Sequence, residues 1–215
     1  PIYQITRAPL TIYANNDAKF VTTADPSFTV SYSPFVAGES ATTAGVLTST
    51  PTVTVDRTST LNITNGSVAT GVLANSGAEA AGTYANALVP SGAVAGNYQI
   101  TYVKGNYTVV GAENLLVRMQ SASAVYGAVP SYTLISAQYL PAGSNTPVTI
   151  GNVNLTGSAV SVNDGAGTTA AFNLTPLNAT LSTTQNTSVG AYQLGATGIN
   201  ILPFVNPNFN RLTVV

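Results

Sequence analysis

No window of ten residues in this chain carries apolar side chains at helical spacing, while short runs of period-two alternation recur from end to end. Phe28/Val30/Tyr32 and Tyr98/Ile100/Tyr102 are two such runs. Each fits a strand with one buried and one wet face. LTIYA, SFTVSY, TVTVD, TLNIT, SVATGVL, YQITYV and NYTVV read as strands in the first half. LLVRM, SYTLIS, VTIGNVNL, SAVSVN, TAAFNLT, ATLST, AYQLG and RLTVV do so in the second. Asn65-Gly66 and Asp164-Gly165 separate strand-like runs and read as hairpin turns, since both residue types tolerate positive φ. Small-residue text near 77–82 has no apolar stripe. The expectation is an all-β protein.

How such a chain stays in solution is set by its polar positions. Charged residues make up 6% of it, against about 25% in ordinary domains. Hydroxyls and amides must therefore do most of the solvating. With a net charge of −1 and six Lys/Arg scattered singly, no patch exists to neutralise phosphates, and nucleic acid is not expected as a partner. No run of eighteen apolar residues exists, so no membrane-inserting helix is expected. An opening on Pro1 instead of Met reads as a processed product or an excerpt.

Tyr-Gln-Ile-Thr occurs at 3–6 and again at 98–101, which suggests a repeat of 95 residues. Other landmarks give a different spacing. Leu10 to Leu115 and Val110 to Val215 are each 105 residues, Pro26 to Pro130 is 104, and Gly96 to Gly190 is 94. The outer landmarks agree, and loop-length differences account for the inner one. The counterpart of Tyr98-Gln-Ile is then Tyr192-Gln-Leu. We read residues 7–110 and 111–215 as two copies of one domain, joined by the short GAE of 111–113. Residues 1–6 read as a terminal strand or a connector from a preceding repeat. The expected architecture is two tandem antiparallel β-sandwich (Ig-like) domains end to end, with a β-grasp-like topology as the alternative.

Chemistry is bounded by two absences. Without His or Cys there is no Ser-His-Asp or Cys-His nucleophile and no His- or Cys-ligated zinc site. A Ser-Lys pair would need Lys19 or Lys104, and both read as solvated surface lysines. The seven carboxylates are dispersed in turn-like text and read as turn and cap groups that bond their own backbone. No cofactor is expected. Asp17, Asp25 and Glu113 are the candidates for calcium, which prefers six to eight oxygens and clustered carboxylates. Most of the eleven Tyr lie inside strand-like alternation and read as packing residues, although exposed rings could stack on sugars.

RAPLTI (7–12), ADPSFT (24–29), GVLTSTPT (45–52) and AGNYQITYVKGNYTVV (95–110) resemble the MBG repeat of large bacterial surface adhesins. VYGAVPSYT (125–133) is similar to the tyrosine-glycine element of its YGX-type subgroup. The first copy departs from that element with KFVTTADP, and the second loses the central pattern. The resemblance implies a non-catalytic structural repeat, a stalk or spacer of an extracellular bacterial cell-surface adhesin or fibre, acting in adhesion or biofilm. It brings no catalytic residues. Two alternatives stand beside it: a module that binds surface or matrix glycans, and a filament subunit. In the latter, Ile2, Tyr3, Gln4, Ile5 and Thr6 would add as a strand to a neighbouring repeat or an identical subunit.

Overall fold

The computed structural model describes residues 1–58, 61, 62 and 79–215. The Asn65-Gly66 turn, the SVATGVL strand and most of TLNIT lie outside the described residues. Among the described residues every regular element is a strand. They are β1 (Ala8–Ala14), β2 (Asp17–Phe20), β3 (Val30–Ser33), β4 (Thr52–Val55), β5 (Leu61–Asn62), β6 (Gly82–Ser91), β7 (Tyr98–Val103) and β8 (Gly105–Val110). There follow β9 (Asn114–Met119), β10 (Leu134–Tyr139), β11 (Val148–Thr149), β12 (Asn152–Thr156), β13 (Ala159–Asn163), β14 (Thr169–Pro176), β15 (Leu194–Leu202) and β16 (Arg211–Val214).

The chain divides into two compact units. Pro1–Asp17, Pro26–Leu73 and Thr83–Tyr107 form the first. Ala18–Asp25, Ala74–Gly82 and Thr108–Val215 form the second.

In the first unit β1 lies between β3 and β7. Leu10, Ile12 and Ala14 alternate inward along β1. Leu10 packs in an apolar cluster with Val46, Ala95 and Tyr98. The Phe35 ring meets Tyr98 edge-on at 5.8 Å, a favoured aromatic geometry. The β1–β7 ladder is parallel, with Leu10 beside Ile100. β6 pairs antiparallel with β4 and β5.

The second unit is a two-sheet sandwich. One sheet has the order β11-β10-β9-β16 and the other β12-β13-β14-β15. Leu115, Val117 and Met119 of β9 meet Val160 and Val162 of β13 and Phe172 of β14 in one core with Phe209. The alternation of β13 (Val160, Val162 in; Ser161, Asn163 out) follows from having water on one face only. Here too one ladder is parallel, β9 with β16, and Leu115 stands beside Leu212. The fold is all-β and sandwich-like as expected, but neither unit is purely antiparallel.

β1 and β9 share a role, each flanked by an antiparallel strand (β3, β10) and a parallel one (β7, β16). Leu10/Leu115 keep the 105-residue spacing in these ladders. The inner landmark behaves differently. GNYQI opens β7, beside β1, whereas GAYQL leads into β15, beside β14. Similar text thus occupies different ladders.

Candidate functional site

The N-terminal residues proposed for strand addition are free of the sheets. Backbone pairing of the described chain begins where Ala8 N donates to Asn97 O at 3.0 Å. Before it, Ile2 is 98%, Tyr3 89% and Ile5 81% exposed, and Gln4 and Thr6 are exposed with them.

The calcium candidates are used locally. Asp17 opens β2. Asp25 faces the Lys19 ammonium, its Oδ1 3.1 Å from Nζ. Glu113 sits in the β8–β9 turn at φ 58°. Its N–H donates to Leu140 O at 2.7 Å and its carbonyl accepts from Asn210 N at 2.8 Å. Among the described residues no three His, Cys, Asp or Glu side chains come together as a metal group.

Lys19 corrects the sequence reading. It is not a solvated surface lysine: it is 4% exposed, in a strand where Ala18 and Phe20 are buried as well. Lys104, by contrast, is exposed. The Lys19 Nζ donates to Glu79 Oε1 at 2.6 Å, and the Glu79 side chain is wholly buried. Ala18 and Phe20 pack with Val110, Leu116 and Leu140. The Arg118 guanidinium donates to the Ala18 carbonyl and anchors the same strand. One amine and two carboxylates are thus brought together with Lys19 and Glu79 buried, where charge interactions are stronger than in water. Sixty residues separate Lys19 from Glu79, so spacing could not reveal the pair. The available signal was local: Glu79 stands between Ala78 and Ala80, and Lys19 between Ala18 and Phe20.

Other carboxylates behave as turn groups. Asp56 accepts from Thr58 Oγ1 at 2.6 Å and Thr58 N at 3.0 Å. These bonds, the side-chain one foremost, lower its pKa. Asp164 Oδ1 accepts from Ala166 N and Thr168 N at 2.8 and 2.9 Å, and its Oδ2 accepts from Asn208 Nδ2 at 2.6 Å. Burial works to raise the Asp164 carboxyl, but the bonds from Asn208, Ala166 and Thr168 outweigh it and hold the pKa below the usual value. The predicted Asp164-Gly165 turn is present as a loop from 164 to 168 joining β13 and β14, with Gly165 at φ 76°. Tyr98 is a packing residue as expected, and its hydroxyl donates to Glu39 Oε2. Tyr102 departs from that pattern at 37% exposed.

The outer face of the β12–β15 sheet carries no charge. Its cross-strand rows run Asn152–Asn163–Thr169–Leu202, Asn154–Ser161–Ala171–Asn200 and Thr156–Ala159–Asn173–Thr197. The small Ser161 and Ala171 at its centre line two open depressions of about 270 and 330 Å³. Amides and hydroxyls border them. Such a surface offers neutral donors and acceptors and no general acid, base or nucleophile pair.

Residues 10–108 match the family model of the MBG domain (YGX type). The match agrees with the resemblance read from the sequence. MBG domains are structural repeat modules that occur in surface proteins. No curated protein and no solved structure matches the chain. No helix among the described residues is long and apolar enough to cross a membrane.

Proposed function

We propose that this chain is a non-catalytic structural segment of an extracellular bacterial surface adhesin or fibre, serving as a stalk or spacer in adhesion or biofilm. The MBG match over residues 10–108 carries the reading. The chemistry of the described surface supports it: the outer face of the β12–β15 sheet is uncharged and bordered by amides and hydroxyls, and Asp56 and Asp164 are engaged in turns. The test is labelling of intact and lysed cells of the source organism with an antibody raised to this chain. Equal labelling of both fits a surface segment. Label confined to lysed cells overturns it.

Two specific observations favour second readings. The Asn- and Thr-bordered trough around Ser161 and Ala171 fits hydroxyl-rich ligands, so a glycan array probed with the purified chain is the discriminating measurement. The exposed Ile2-Tyr3-Gln4-Ile5-Thr6 segment fits strand addition to a neighbouring repeat or an identical subunit. Self-association in analytical ultracentrifugation that disappears on deleting residues 1–6 would favour that role.

A further inference from the structure

We propose that Lys19 and Asp25 condense to an intramolecular amide, with the Glu79 carboxylate carrying the protons. This inference stands apart from the surface-segment reading, because it rests only on the chemistry of three side chains.

The amine of Lys19 touches both acids at once, 2.6 Å from Glu79 Oε1 and 3.1 Å from Asp25 Oδ1. The carbonyl carbon to be attacked lies one bond beyond that Oδ1. Holding the amine in contact with the carboxyl group it would attack favours intramolecular reaction over reaction in solution. Amide formation must take two protons from this nitrogen, and the Glu79 carboxylate, already its hydrogen-bond acceptor at 2.6 Å, is placed to receive them.

The two acids are not equivalent. Glu79 has a wholly buried side chain and makes the shorter contact, which suits the proton carrier. The Asp25 side chain is 25% exposed, which gives departing water a route out. Both reacting residues are held. Lys19 is fixed between buried Ala18 and Phe20 on β2. Asp25 precedes Pro26, which restricts its backbone to extended conformations.

The step balances without an oxidant or co-reactant. Lys19 Nζ bonds to Asp25 Cγ, and one Asp25 Cγ–O bond breaks. Two protons leave the nitrogen by way of Glu79 and join the departing oxygen as water. Glu79 returns to its starting state. The product is a covalent ring closing Lys19 to Asp25. The echoing stretch of the second half, 121–130, has no Lys, Asp or Glu, and Val129 stands where the 104-residue offset places Asp25. It therefore serves as an internal control.

The test is the intact mass of the purified, folded chain, read under denaturing conditions, followed by peptide mapping. The expected mass is that of the sequence less one water, with the loss mapped to a branched peptide joining Lys19 and Asp25. E79Q and K19M should both show no water loss. A wild-type mass equal to the full sequence after prolonged incubation overturns the proposal, whatever the variants do. Water loss mapped elsewhere, such as Asp164-Gly165, or to a Lys19–Glu79 link, also overturns it. Loss persisting in folded E79Q removes Glu79 from the step.

Discussion

Lys19 shows how much can depend on one buried amine. Replacing it with Met would leave the wholly buried Glu79 carboxylate without the nitrogen that donates to it. Breaking a buried pair from one side typically costs about 3–5 kcal/mol. K19M should therefore lose stability on that scale in denaturant unfolding, and K19M/E79L should recover most of the loss, because the stranded charge is gone. A double variant no more stable than K19M would show that the charge is not what makes the single change costly. Asp164 acts by a different route. Its carboxyl is held below the usual value, so its folded pKa lies under its unfolded one. The stability it contributes is present above the unfolded value and is lost as pH falls through the folded value. D164A removes acceptors for Ala166 N, Thr168 N and Asn208 Nδ2. It should cost about 1–3 kcal/mol at neutral pH. The variant should also show a shallower loss of stability on acidification than the parent, measured by urea midpoints across the acid range.

At the level of elements, strands with water on one face were legible, and those broken by local geometry were not. β1, β13 and β14 show their alternation directly in Leu10/Ile12, Val160/Val162 and Ala170/Phe172. β6, at ten residues the longest strand among the described residues, escaped the pattern. Asn86 within it has φ 55°, and the buried face passes from Tyr84 to Ala87, Leu88 and Pro90. That shift of the buried face breaks period two. β2 was hidden because Ala18, Lys19 and Phe20 are all buried, and a buried Lys reads as a loop residue. ATLST, in contrast, contributes only an isolated bridge from Leu181 to Thr187. The candidate site was illegible because the approach of Lys19 to Glu79 is a tertiary event, whereas the Asp56 and Asp164 turns are local and could be read. β8 shows a further constraint that composition conceals. A Cβ at Gly105 would stand 2.6 Å from the Ala14 carbonyl oxygen and 3.1 Å from that of Asn15. Backbone cannot swing aside as a side chain can, so G105A should destabilise by about 1–3 kcal/mol, as other overpacking changes do. A thermal midpoint unchanged from the parent would show that the β1–β2 turn yields more easily than its backbone contacts suggest.

For the molecule as a whole, the sparse charge has a consequence that separates two kinds of electrostatics. Six cations and seven anions are spread singly over 215 residues. Exposed charges of that density make little use of long-range attraction, and the Debye length contracts from about 30 Å at 0.01 M to about 3 Å at 1 M salt. The Lys19 contacts with Glu79 and Asp25 are largely screened from salt by burial. Raising sodium chloride across that range should therefore move the thermal midpoint by no more than about two degrees. Acidification should act differently, because the lowered carboxyls of Asp56 and Asp164 are held by short hydrogen bonds that protonation weakens. A chain indifferent to salt yet sensitive to acid would place its electrostatics in local carboxylate–amide bonds. A midpoint that moved strongly with salt would instead reveal exposed ion pairs with a larger share in stability than this composition allows.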